Sequence, residues 1–241
     1  MQLQHLLSYT RRAIQDYDMI QSGDKIAIGI SGGKDSLTLA RALKDLQRFY
    51  PKNFSLHAIT ISLGFDNFDT TKLKEYFKAL DIPYAIYETQ IADIVFKERK
   101  ETNPCSLCSK MRKGALLDIS KQLGCNKIAL GHNKDDINET LLMSLFYEGR
   151  IHTMSPVTYL DKSHITLIRP LIYAPEADIR SFSKKNELPV LKSPCPADGQ
   201  TKREYIKQLI YSFQKEMPHV RENIFGAIQR SALKDWNIDR G

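Results

Sequence analysis

Between two apolar segments of the chain lies Ser31-Gly-Gly-Lys-Asp-Ser36, a run whose residue types suit phosphate chemistry. Ile26–Ile30 before it reads as a buried strand, and Leu37–Leu43 after it has helical apolar spacing. A strand, a glycine turn and a helix start present backbone N–H groups and the positive end of a helix to an anion. Gly32 and Gly33 allow a tight bend and close approach of a ligand. The order of residues is not that of a Walker A loop. The plainer alternative is a turn in which Asp35 or Ser36 caps the helix.

A second cluster, Gly131-His-Asn-Lys-Asp-Asp136-Ile-Asn-Glu139, follows the short apolar segment Lys127–Leu130. Asp135 and Asp136 fall at a helix start, where they also suit the dipole, and Glu139 lies one turn on. Carboxylates beside a polyphosphate repel it unless a hard cation intervenes, so this cluster implies Mg²⁺ with ATP. His132 could polarise a substrate or simply pack.

Cys105-Ser-Leu-Cys108 has metal-ligand spacing, and Cys195 stands between two prolines far downstream. A zinc half-site, a redox pair and part of an iron–sulfur centre are all compatible with this set. Three thiolates on a 4Fe–4S cluster would leave one iron open to an external ligand such as sulfide, whereas structural zinc would need a fourth ligand, Cys125 or a His. Cys125 by itself reads as a small buried hydrophobe. Lys110, Arg112 and Lys113, on the helix after the Cys pair, would offset thiolate charge or face solvent.

These residues need elements to hold them. Helical spacing covers 3–19; strands are expected at Ser55–Ser62, Tyr84–Tyr87, Lys127–Leu130 and Thr166–Ile168. Helices are expected at Thr70–Leu80, Ser106–Leu123 and Ile137–Tyr147, and after Pro170 the chain reads as mostly helical. The alternation predicts an α/β fold: a parallel sheet with helices on both faces, plus a helical C-terminal extension. The expected organisation is an N-terminal helix over 1–20, a nucleotide-binding domain over 21–172, and an extension over 173–241 that carries the third cysteine. Ligands of such sheets bind beyond the carboxyl ends of the strands, which places the glycine turn, Gly64 and Gly131 on one edge.

With 241 residues, 42% hydrophobic and 26% charged, the composition is that of a globular protein with a sizeable core. No apolar run suits a membrane span and no secretory pattern opens the chain, so a reducing, cytoplasmic setting is expected. A net charge of +7 favours an anionic partner such as nucleic acid.

Together, Ser31–Ser36, Cys105–Gly114, Leu130–Thr140, Phe146–Gly149 and Ile168–Leu171 resemble the tRNA 2-thiocytidine biosynthesis (TtcA) family, over roughly residues 5–235. The resemblance implies a PP-loop ATP pyrophosphatase fold and three cofactors: ATP, Mg²⁺ and a 4Fe–4S cluster on Cys105, Cys108 and Cys195. It implies tRNA as partner, with an anticodon-loop cytidine as acceptor, and a sulfur donor such as a cysteine desulfurase; a homodimer is compatible with it. The nucleotide set is then Ser31, Gly32, Gly33, Lys34, Asp35 and Ser36 for the phosphates, Ala58, Ile59, Thr60 and Gly131 for the adenine, with His132 and Asp135. Asp35 and Asp136, with Asp135 as a further candidate, would organise Mg²⁺, and Arg112 and Lys113 would steady negative charge during transfer. The stretch from Cys195 to Glu204 departs from the C-x-x-C-G-S-Q of familiar members. Rival readings are a PP-loop sulfurtransferase for uridine or a small-molecule acceptor, and a zinc-stabilised nucleotide- or RNA-binding module.

Overall fold

Five strands run parallel along one sheet whose order reverses beside the first of them. The structure is a computed structural model and describes residues 1–65, 69–99, 104–192, 194–196 and 201–236. The strands are β1 (Asp24–Gly29), β2 (Phe54–Ser62), β3 (Tyr84–Glu88), β4 (Lys127–Ala129), β5 (Val157–Leu160) and β6 (Ile165–Ile168), in the order β3-β2-β1-β4-β6-β5. The chain builds outward from β1 to β3, then crosses back to place β4 on the other side of β1. The switch point lies between β1 and β4, where doubly wound sheets bind ligands. The register aligns Ile28 with Ala58 of β2 on one side and with Ala129 of β4 on the other, so the turns after β1 and β4 leave the sheet side by side.

β5 is not among the expected strands, and it adds one antiparallel edge to a sheet that is otherwise parallel as expected. It pairs antiparallel with β6 through a short turn at 161–164 and closes one edge. Four residues of weak alternation carry little strand signal; pairing with β6 makes the strand.

The sheet separates two cores. On one face α1 (Leu3–Asp16), α2 (Lys34–Leu46), α3 (Thr71–Ala79) and α6 (Glu176–Lys185) pack around Ile14, Ile28, Leu39, Phe77 and Phe182. Trp236 and Phe225, with ring centroids 5.6 Å apart, belong to this same core. The N-terminal helix and parts of the C-terminal extension therefore share one core with the sheet. On the other face, α4 (Pro104–Gln122) and a π-helical turn at Asp93–Glu98 cover Ala27, Ile59, Ile61, Ile128 and Leu167. Alternation along β2 decides which side chains meet which core. The remaining helices, α5 (Lys134–Glu148), α7 (Lys202–Glu216) and α8 (Val220–Gln229), pack on one another beyond the sheet's carboxyl edge.

Candidate active site

The turn after β1 leaves the start of α2 uncapped by any side chain. Gly33 is the N-cap, and neither Asp35 nor Ser36 caps the helix. Ser36 Oγ instead donates to the Gly33 carbonyl (3.0 Å) and accepts from the Ser31 amide (3.2 Å), while Ser31 Oγ accepts from the Gly33 amide (3.2 Å). The serines thus shape the loop and leave the first amides of α2 facing outward, an arrangement suited to an anion. Gly32 sits at φ +81°, and a Cβ there would meet Leu191 Cβ at 3.2 Å. The Leu191 amide donates to the Gly32 carbonyl (2.9 Å), which ties the segment leading to Cys195 onto the phosphate turn.

The turn after β4 touches that loop directly. A Cβ on Gly131 would lie 2.9 Å from the Asp35 carbonyl carbon, so only glycine lets the two turns meet. Beyond it α5 is fully capped: the Asn133 side chain accepts from the Asp135 and Asp136 amides, and the Asp136 carboxylate accepts from the Asn133 amide. Asn133 Nδ2 also donates to Asp35 Oδ1 (3.0 Å). Asp35 and Asp136 come within electrostatic reach of one another, and burial above all raises the Asp136 carboxyl to about 6. Glu139 is raised to about 7, by burial and then by the Asp136 charge. Two crowded carboxylates beside an open anion site are a donor set that fits a hard cation such as Mg²⁺.

Asp135 is placed differently. Its carboxylate accepts from the Glu176 amide (2.7 Å) and pairs with Arg221 of α8. It anchors C-terminal helices while its neighbour Asp136 faces the loop.

The C-terminal helices bring further charges that sequence spacing does not reveal. Arg203 pairs with Glu139 (3.2 Å) and Asp136 (3.7 Å). Glu176 bridges Lys34 (2.9 Å) and Lys207 (2.7 Å). Burial opposes ionisation of Glu176, but hydrogen bonds from the two lysines bring it down to about 2. Asp35, Asp136, Glu139, Glu176, Lys34, Arg203 and Lys207 enclose a polar cavity of about 290 Å³. Glu176, Arg203, Lys207 and Arg221 are drawn to this region from the far end of the chain, and no local pattern marks them.

A larger cavity of about 670 Å³ opens on the other side of Asp35 and Asp136, between α4 and the carboxyl edge of the sheet. Ser31, Gly33, Asp35, Ser36, Gly131 and His132 line one wall; Ser109, Arg112, Lys113 and Cys195 line another. Ile59, Ile61 and Leu63 make an apolar end to it. Of the three β2 residues expected at the adenine, only Ile59 faces this cavity. Ala58 packs in the opposite core, and Thr60 Oγ1 shares a hydrogen bond with the Tyr84 hydroxyl (2.8 Å). Burial, reinforced by Arg169, Arg203 and Arg112, holds His132 down to about 3, so its ring is neutral.

Cys195 lines the same cavity, and Cys105 and Cys108 lie on the helix that forms its wall. Cys105, Cys108, Ser109, Arg112 and Leu116 share one side of α4 at three- and four-residue spacing. Cys105 is exposed; Cys108 and Cys195 are half-buried. Burial raises the Cys108 thiol, Arg112 opposes this, and Cys195 and Cys105 add to it, so the three thiols lie within electrostatic reach. Among the described residues no three Cys, His, Asp or Glu side chains are grouped to hold one metal ion. Three thiols within reach of one another, with Arg112 beside them, are a donor set of the kind that holds an iron–sulfur cluster. Cys125 is buried in the core under α4, apart from the other three.

A PP-loop domain model covers residues 4–213. A tRNA-cytidine(32) 2-sulfurtransferase of Pelobacter propionicus is 38% identical over 220 residues, 90% of this chain and 82% of that one. The chain belongs to this PP-loop family of tRNA-cytidine(32) 2-sulfurtransferases. The relative of the same name in Alcanivorax borkumensis is 40% identical over 92% of this chain and 79% of its own. Among solved structures, the U34-tRNA thiolase NcsA from Methanococcus maripaludis with its [4Fe-4S] cluster superposes with a TM-score of 0.75 at 26% identity, covering 91% of this chain and 76% of that one.

Proposed function

We propose that this protein is an ATP-dependent tRNA sulfurtransferase that adenylates the carbonyl of an anticodon-loop cytidine and replaces its oxygen by sulfur. The observation that carries the reading is that the uncapped loop at 31–36 and the helix bearing Cys105 and Cys108 open onto one cavity, with Cys195 in its wall.

The amides at the start of α2, with Lys34, hold the phosphates of ATP. Asp35 and Asp136 would hold Mg²⁺, which would supply neutralisation of the polyphosphate charge. The apolar end at Ile59, Ile61 and Leu63 receives the adenine. The cytidine carbonyl oxygen attacks the α-phosphorus; a P–O bond forms, the bridge to the β-phosphate breaks, and pyrophosphate leaves with the electron pair. A sulfur nucleophile then attacks the activated ring carbon, and the C–O bond breaks to release AMP. A 4Fe–4S cluster, when held by Cys105, Cys108 and Cys195, would supply the site of sulfur delivery. Arg112 and Lys113 face that space and offset the negative charge that develops there.

The tRNA is met by a basic chain of net charge +7. Exposed Phe146, Tyr147 and Tyr205 add flat surfaces for unstacked bases, with Lys202 Nζ 4.5 Å from the Tyr147 ring centroid. Sulfur comes from a donor such as a cysteine desulfurase, in the cytoplasm, and a homodimer is compatible with the reading. Among the described residues no helix is long and apolar enough to cross a membrane.

Two measurements test this. Nucleoside mass spectrometry of tRNA from a deletion strain should show loss of 2-thiocytidine; loss of a thiouridine instead would move the acceptor, and no change would end the tRNA reading. Anaerobically purified protein should hold about four irons, as one cubane requires. Cys105→Ala, Cys108→Ala and Cys195→Ala should each lose most of that iron while Cys125→Ala keeps it.

A further inference from the structure

Arg169 directly follows β6 and is 7% exposed. Lys127, the other buried cation among the described residues, is paired with Asp24 at 2.8 Å, whereas Arg169 has no carboxylate partner among those residues. Its Nη1 donates to the Ser155 carbonyl and to Thr158 Oγ1 (3.2 Å), both beside or on the antiparallel edge strand β5. Its Nε is buried with no partner. Leu167, two residues earlier, lies in the core under α4, so alternation turns Arg169 to that same face, and it lines the larger cavity.

His132, its electrostatic neighbour in that cavity, also has a buried Nδ1 without a partner. A water molecule could satisfy an orphan N–H, but not an uncompensated buried charge. Around the same space Arg112, Lys113, Arg169 and Arg203 stand against Asp35 and Asp136. Arg203 is balanced by Glu139 and Asp136, and Asp35 by Lys34, which leaves Arg112, Lys113 and Arg169 without a carboxylate partner among the described residues. The guanidinium is already held from the β5 side, so its free edge is set before any ligand arrives, which is the preorganisation that transition-state stabilisation needs.

We propose that Arg169, flanked by His132, binds a non-bridging oxygen of the α-phosphate of the nucleotide and is a further catalytic residue of the transfer. This rests on the nucleotide reading of the glycine loop. The α-phosphorus is the one atom attacked in the adenylation step, and it must lie in the larger cavity, because that cavity holds both the glycine loop and the room for an acceptor base. As pyrophosphate leaves, Arg169 keeps hold of the phosphoryl group that stays behind on the acceptor oxygen.

Calorimetric titration of AMP and of adenosine into wild type and Arg169 variants tests this without tRNA or cluster. AMP keeps the α-phosphate and adenosine lacks it. Arg169→Gln should weaken AMP by about tenfold or more, the range for a charge-assisted hydrogen bond, and leave adenosine unaffected. Arg169→Lys, which keeps charge but loses the planar fork, should fall between. Thr158→Val, which removes only the support on β5, should retain most of the AMP affinity. Equal losses for AMP and adenosine, or unchanged AMP affinity in either folded Arg169 variant, would overturn the proposal. So would a wild type that binds adenosine as tightly as AMP. Should Arg169→Gln fail to fold, Arg169→Lys decides. A protein that passes this test but leaves tRNA unmodified would lose the sulfurtransferase reading and keep the phosphate site.

Discussion

Two helices begin side by side at the switch point, and their first turns have opposite chemistry. α2 starts at a glycine with no side-chain cap, while its two serines are spent on the loop's own backbone. α5 starts at Asn133 with a complete capping box and two aspartates. One terminus keeps its amides for a ligand; the other satisfies them internally and loads the same small volume with carboxylates. An open anion site and a crowded acid site are forced together at Gly131, and the proposed function puts a polyphosphate and its cation there. Neither terminus would do this alone: the open one lacks a cation ligand, and the acidic one repels phosphate.

The contrast can be broken first at α5. Asp135→Asn removes the charge that holds Arg221, leaving a partly buried guanidinium unpaired, and should cost on the order of 3 kcal/mol. Thermal unfolding of the nucleotide-free protein would read this. Asp35→Ala should show the reverse pattern: turnover down by roughly 10²–10³, the scale of losing one preorganised electrostatic contact at the reacting group, with little change in melting temperature. AMP formation and a melting curve on each variant suffice. If Asp35→Ala proved the less stable of the two and Asp135→Asn the less active, the assignment of anchor and site to these acids would be inverted.

Asn133→Ala touches both termini, because one side chain caps α5 and also donates to Asp35. Loss of the cap should cost about 1 kcal/mol, and Mg²⁺-dependent ATP binding should weaken with it. A stability loss with ATP binding intact would mean that the bond to Asp35 is incidental.

The smallest effect sharpens the acid side. Glu139 titrates near 7 in the folded protein, chiefly through burial, against the ordinary 4.5 of an unfolded chain. The folded state therefore binds the extra proton between those values, and this group's contribution to stability falls as pH rises through that window. Glu139→Gln should raise the melting temperature at pH 8 and change it less at pH 5, measured without Mg²⁺. An increase of equal size at both pH values would show that the gain is not electrostatic.

Much of this site can be read along the chain because its parts are local. Ser31–Ser36 joins an apolar strand to an amphipathic helix, and the spacing of Cys105, Cys108 and Arg112 already places them on one side of a helix. The boundaries of β2 and β3 fall within a residue of where apolar alternation and Pro83 place them. The adenine end is less legible. Three consecutive residues of a strand point alternately to two faces, so Ala58 and Thr60 could not join Ile59 in one cavity.

The sequence by itself determined most of the elements, the glycine turn and the acids and thiols available for chemistry, because turn geometry and helical periodicity act over a few residues. Only the tertiary structure decided which carboxylate faces the loop. Asp135 and Asp136 are adjacent and chemically identical, and Arg221, 86 residues on from Asp135, separates their roles. The same holds for Arg203 at Glu139, Lys207 at Glu176, and the buried charge of Arg169 held from the β5 edge. Ion pairing and burial depend on distances through space, and a chain's order fixes those only once it has folded.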